Sequence, residues 1–159
     1  MKVNFRNWRR WAFMLTMIGS LQFMVLTVVA MFFYPGGSFT DRTSTGYSFL
    51  GNFFSDLGLT KTYRGDSNLV SSLLFTAALS LAGVSGVLFF IALPRLFSGT
   101  RAGKLLSFTG SVFGVFSGIS YAGIAFAPAD LHLRTHLKFV FAAFGFFFLV
   151  VVLYVIAIF

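Results

Sequence analysis

Four apolar runs divide the chain, and each is long enough to form a helix that crosses a lipid bilayer. The first extends from Trp11 to Phe33 without a charged residue, the second from Leu69 to Leu93, the third from Leu105 to Ala127 and the fourth from about Leu131 to Phe159. An α-helix rises about 1.5 Å per residue and the hydrocarbon core is about 30 Å thick, so about 20 apolar residues suffice for one crossing. Pro94 closes the second run and Pro128 the third. The pattern predicts an all-α fold: a polytopic membrane bundle of four transmembrane helices, forming a single domain over residues 1–159.

One long connection interrupts this pattern, from Tyr34 to about Asn68. Within it Phe49, Leu50, Phe53, Phe54 and Leu57 recur at helical spacing, while Gly51, Asn52, Ser55 and Gly58 fall on the other side. That amphipathic spacing predicts a short helix lying in the membrane interface. At the start of the fourth run, Pro128, Ala129 and Asp130 form a helix-initiating sequence, with Asp130 expected to accept an unpaired N–H of the first turn. The chain then stops inside an apolar stretch, Tyr154 to Phe159. Two expectations follow: a longer native product, or a terminus buried against a partner such as a second copy or further helices.

Composition strengthens the membrane reading. Hydrophobic residues make up 57% of the chain and charged residues only 10%, against about 25% charged in soluble domains. The net charge of +8 comes from Lys and Arg at the ends of apolar runs. Because they form no stripe on a soluble face, nucleic acid is not an expected partner, whereas membrane lipid is. Lys2, Arg6, Arg9 and Arg10 precede the first run, which is too long for a cleaved signal peptide and reads as a retained anchor. Trp8 and Trp11 suit the interfacial belt. Arg95, Arg101 and Lys104 lie in the link between the second and third runs, on the same side as the N-terminus. The concentration of positive charge predicts that this side is cytoplasmic, with the long loop and the Pro128 turn outside. Absence of Cys excludes disulfides and thiolate metal sites.

Helices in lipid associate through close backbone approach at small residues. In the third run Gly110, Gly114, Gly118 and Ala122 recur every four residues, with Ser111 and Ser117 beside them. Ala78, Ala82 and Gly86 offer a matching face on the second run, so these two helices are expected to pack tightly. Phe144, Phe146, Phe147 and Phe148 are expected to face lipid or fill gaps.

No Asp, Glu, Lys or Arg lies deep in a run, which argues against a charge-coupled route through the bilayer centre. The polar candidates collect at the outer edge: Ser55, Asp56, Asp130, His132 and His136. On a helix His132 and His136 share a face, a spacing that suits one divalent metal; Asp56 or Asp130 could ligate or orient to complete a zinc site that activates water, with Ser55 contacting a substrate. A competing reading makes these residues a structural clasp. Asp56, among apolar neighbours, needs a partner, and Arg64, Arg134 or either His could tie it to the fourth helix. P-loop, GxSxG, dinucleotide and HExxH signatures are absent.

The Phe54-Ser55-Asp56-Leu57-Gly58 stretch, together with Pro128-Ala129-Asp130 and the downstream His136, resembles the bacterial and archaeal membrane family catalogued as domain of unknown function 998. The resemblance implies that Ser55, Asp56, Pro128, Asp130 and His136 are signature positions without an assigned role, in proteins that usually carry six helices. The chain is more faintly similar to the alkaline ceramidase and adiponectin-receptor group, which combine Ser, Asp and an HxxxH pair around zinc. Those proteins have seven helices and a third His, which this chain lacks. Two functional expectations remain open. One is a multi-pass membrane protein whose outer polar cluster clasps the bundle or recognises lipid or a partner. The other is a metal-dependent hydrolase acting on a lipid amide or ester at the interface.

Overall fold

The computed structural model describes residues 7–97 and 99–158. Lys2 and Arg6, which carry part of the charge bias, and Phe159 lie outside the described residues. Four helices follow the four apolar runs: α1 over Trp8–Phe32, α2 over Leu69–Ala92, α3 over Arg101–Ala125 and α4 over Ala129–Ile158. All four are long and apolar enough to cross a membrane. The fold is all-α, a multi-pass membrane protein. Among the described residues only two isolated antiparallel bridges occur, Gly36 with Thr45 and Lys61 with Ser67, both within the long loop.

Local chemistry explains where the ends differ from expectation. Helix α3 begins at Arg101 because the Thr100 hydroxyl accepts the Gly103 N–H at 3.0 Å, which satisfies one of the unpaired donors of the first turn. Pro94 sits in a 3-10 turn, Leu93–Leu96, that ends α2. The helix expected in the loop contracts to a 3-10 turn over Phe54–Gly58. Phe53 is extended and interrupts any longer helix. Before it, the Ser48 carbonyl gathers the N–H groups of Gly51 and Asn52 into a separate turn. Phe49 and Leu50 are left 78% and 97% exposed, at the loop end of the molecule.

The α2–α3 crossing is close, as the small residues predict, but its register differs. Gly83 and Gly118 face each other: a Cβ on Gly83 would lie 2.6 Å from the Gly118 carbonyl oxygen, and a Cβ on Gly118 would lie 2.8 Å from that of Gly83. Backbone blocks backbone here, so no larger side chain fits without separating the helices. Gly114 accommodates the Phe90 ring of α2, whereas Gly110 accommodates Tyr154 of α4. Two expected α2 positions need correction. Ala78 is turned toward α1, where its carbonyl accepts the Gln22 side-chain amide at 3.0 Å, and Gly86 has open space where a Cβ would go. Ala82 and Gly86 line an open groove together with Thr16 and Ser20 of α1 and Ser117 and Gly118 of α3. A small residue every four positions identifies a narrow face without fixing the rotation that selects its partner.

The serines of α3 tie it to α4. Ser117 donates to the Ala143 carbonyl at 2.8 Å, and Ser111 and the Tyr154 hydroxyl are 2.7 Å apart. Each such bond in a membrane bundle contributes about 0.6 kcal/mol on average. Phe146 fills a gap by stacking on Phe113, Phe144 packs on Tyr121, Phe147 borders an open groove and Phe148 faces outward. Helix α1 packs on α2, α2 on α3 and α3 on α4, while α1 and α4 share no packed interface among the described residues. The four helices therefore form an open row, and its concave side is not closed.

Candidate functional site

The long loop folds over one end of this row. Leu57 is fully buried in a cluster with Tyr34, Phe75, Leu79 and Ile124, so the 3-10 turn plugs the top of the helices. Asparagines hold it there. The Asn68 amide donates to the carbonyls of Leu57 at 3.1 Å and Leu59 at 2.9 Å, and Ser71 adds a bond to Leu57 at 3.1 Å. Gly37, at φ +84, adopts a left-handed conformation that favours glycine. Its carbonyl accepts both the Tyr34 hydroxyl and the Asn52 amide, each at 2.9 Å.

Asp56 is 2% exposed. Its Oδ2 accepts the Asn52 amide and the Phe53 N–H, both at 3.0 Å, and its Oδ1 receives a longer contact of 3.4 Å from the Tyr63 hydroxyl. The Phe53 bond is the return half of a capping arrangement, in which the acid in the first turn reaches back to the N–H at the turn's start. Burial raises the Asp56 carboxyl above the ordinary carboxylate range, against the lowering effect of these donors. Burial, followed by the nearby Asp56 charge, also raises the Tyr34 and Tyr63 hydroxyls. The expected Arg or His partner for Asp56 is therefore corrected: its partners come from the loop itself. Arg64 pairs with Asp66 at 3.1 Å.

Asp130 supplies the tie between loop and α4. Both carboxylate oxygens lie 3.1 Å from the Thr60 N–H, one also accepts the Lys61 N–H at 3.2 Å, and the Thr60 hydroxyl donates to the same oxygen. This is a correction to the expected helix cap, because the oxygens reach across 70 residues of sequence to the loop. The loop and the Pro128 turn thus meet at one end of the molecule.

The two histidines part company. His132 has non-helical dihedrals, φ −138 and ψ 49, so a kink interrupts α4 and removes the continuous helical geometry assumed for the pair. His132 is exposed, whereas His136 is buried. The His136 Nδ1 lies 2.8 Å from the Ala127 carbonyl. A carbonyl can only accept, so Nδ1 carries the proton and, in the neutral ring, Nε2 is left as an acceptor. Among the described residues, Nε2 has no protein hydrogen-bond partner.

A cavity of about 560 Å³ lies beneath the loop. Aromatic and aliphatic side chains dominate its wall, among them Phe23 of α1, Phe54 of the loop, Leu79 of α2, Tyr121 of α3 and Leu137 and Phe144 of α4. Its polar contributors include Ser55, Asp56, Tyr63 and His136. Three of the five candidate residues, Ser55, Asp56 and His136, therefore converge on one space, while Asp130 and His132 lie outside its lining. No group of three or more His, Cys, Asp or Glu placed to hold one metal ion occurs among the described residues. Helices α1 and α4 both contribute to its wall but share no packed interface among the described residues.

Sequence reasoning missed Asn52, Tyr63 and Asn68. The available signal was weak: Asn in a loop commonly bonds nearby backbone, and Asn52 stands one helical turn before Asp56. No family model matches the chain. Neither a curated protein nor a solved structure matches it.

Proposed function

We propose that the protein binds a single membrane amphiphile, which enters between α1 and α4, with its apolar chain in the cavity and its headgroup beside Asp56 and His136. The observation that carries this reading is the convergence of a buried carboxylate and an unpartnered imidazole nitrogen at the end of an otherwise apolar space. Its volume lies in the range of about 300–1,000 Å³ typical of small-molecule sites, which are likewise mostly apolar with a few placed polar groups. Solvation also favours a chain-bearing ligand, since a mouth between α1 and α4 would face lipid when the helices span a bilayer.

Photolabelling in membranes tests this. A lipid carrying a diazirine on its acyl chain should attach mainly to residues of the cavity wall, such as Phe23, Leu137, Val140 and Phe144, and Leu137→Trp should suppress those adducts. Labelling spread evenly over the outward faces of all four helices would overturn the reading.

The proposal extends to placement in the cell. The basic residues at the opposite end support a cytoplasmic N-terminus, with the cavity in the outer leaflet. The chain has no Cys, so a Thr43→Cys variant gives one reporter; its labelling by an impermeant maleimide on intact cells supports this orientation, and protection argues against it. Membership of the family catalogued as domain of unknown function 998 is part of the same proposal, resting on the Ser55–Gly58 and Pro128–Asp130 segments.

The alternative, a metal-dependent hydrolase of lipid amides or esters, requires a further ligand beside Asp56 and His136. Stoichiometric zinc in purified protein, lost in His136→Ala, would favour it over simple binding.

A further inference from the structure

Hydrogen-bonding capacity at the polar end of the cavity is lopsided. Asp56 Oδ2 is already occupied by the Asn52 amide and the Phe53 N–H, which leaves Oδ1 as the carboxylate oxygen with capacity to accept. Tyr63 directs its hydroxyl proton toward Oδ1, so toward a ligand it too presents lone pairs. His136 commits its Nδ1 proton to Ala127, which leaves Nε2 as an acceptor in the neutral ring. Ser55 is the one neutral side chain able to act either way. No Lys or Arg lines the cavity among the described residues. Arg42 and Arg64 instead border a separate surface depression that also includes Tyr63.

A ligand group that only accepts would face the Asp56 carboxylate, the Tyr63 oxygen and the imidazole Nε2, with the Ser55 hydroxyl as its one neutral donor, an arrangement that costs binding. A group that donates would satisfy Oδ1 or Nε2, and an ammonium or a pair of hydroxyls carries enough protons for both. Resting on the amphiphile reading above, we propose that this site selects a headgroup that donates hydrogen bonds, a hydroxyl or an ammonium, over a carboxylate on the same chain.

The geometry around Asp56 also sets the effect of a near-isosteric change. In Asp56→Asn the oxygen must stay where the Asn52 amide and Phe53 N–H donate, because an NH₂ there would face two donors. The new NH₂ then takes the place of Oδ1 and turns a cavity acceptor into a donor. The substitution should therefore move the headgroup preference toward acceptors instead of merely weakening it.

Three probes with one common chain separate the possibilities: monoolein for the hydroxyl, oleylamine for the ammonium and oleic acid for the carboxylate. The full chain in zwitterionic nanodiscs is incubated with each, and retained probe is counted by native mass spectrometry. The wild-type protein is expected to retain monoolein and oleylamine at least about tenfold better than oleic acid, a ratio equivalent to about 1.4 kcal/mol. In Asp56→Asn the gap should close or reverse. Oleic acid retained as well as monoolein by the wild type overturns the headgroup assignment, and this arm needs no variant to fold. An unchanged order in a folded Asp56→Asn protein overturns it as well. If none of the three is retained, or if Leu137→Trp retains them all undiminished, the amphiphile site itself is overturned.

Discussion

Asp56 and Asp130 lie at the same end of the protein, and both accept backbone N–H groups, yet they are set to different tasks. Asp130 is the more exposed, and its three donors, the Thr60 N–H and hydroxyl and the Lys61 N–H, all belong to the stretch of loop that it ties to α4. Asp56 is almost wholly buried, keeps one oxygen lightly used and turns toward the cavity. Burial alone would mark Asp56 as structural and exposure would mark Asp130 as available. The hydrogen bonds reverse that assignment. What decides whether a carboxylate can meet a ligand is the acceptor capacity left after its protein donors are counted, not the area it shows to solvent.

The comparison can be tested through stability, beginning with its largest consequence. Asp130→Ala removes the acceptor for two N–H groups and a hydroxyl and should cost about 2 kcal/mol, the range for hydrogen bonds to a charged group. Thermal unfolding in detergent measures it, and an undiminished midpoint would remove Asp130 from its role as the tie. Asn52→Ala should cost about 1 kcal/mol, since Gly37 and Asp56 each lose a donor. Asp56→Asn should cost less than that, because its oxygen still serves Asn52 and Phe53. A loss as large as that of Asp130→Ala would make Asp56 structural and erase the contrast.

The smallest effect is pH dependence. Because burial raises the folded Asp56 pKa, at pH between the ordinary carboxylate value and the raised one the folded protein holds a proton that the unfolded chain releases. Stability contributed here is therefore greatest on the acid side of the ordinary carboxylate range and declines as pH rises through the Asp56 value. Asp41 acts oppositely: its Thr43 hydrogen bonds lower its pKa, so its contribution is lost as pH falls. Unfolding midpoints followed against pH for wild type and Asp56→Asn isolate the Asp56 share, and parallel curves would contradict it.

The spans were legible because hydropathy over twenty residues is a property of the chain itself, and lipid allows few alternatives to a helix. The narrow face of α3 was legible for a similar reason, since Gly110, Gly114 and Gly118 report their own small size. Pairings were not. Nothing local distinguishes Gly83 from Gly86 as the residue that meets Gly118, because that choice depends on the rotation of α2 between α1 and α3. The tie from Asp130 to Thr60 spans 70 residues, beyond any periodicity. The shared face assigned to His132 and His136 presupposed an unbroken helix, and the kink at His132 lies where no Gly or Pro announces it. The convergence of Ser55, Asp56 and His136 on one surface was nevertheless readable, because the number of membrane crossings fixes which loops share a side.

The gap between α1 and α4 has a consequence for how any occupant would arrive. On the proposed function the mouth lies in the plane of the leaflet and would sample neighbours by lateral diffusion, so occupancy would follow the mole fraction of a compound among surrounding lipids and not its aqueous concentration. Poorly water-soluble molecules, which a pocket facing solvent would rarely encounter, would then become the most frequent visitors.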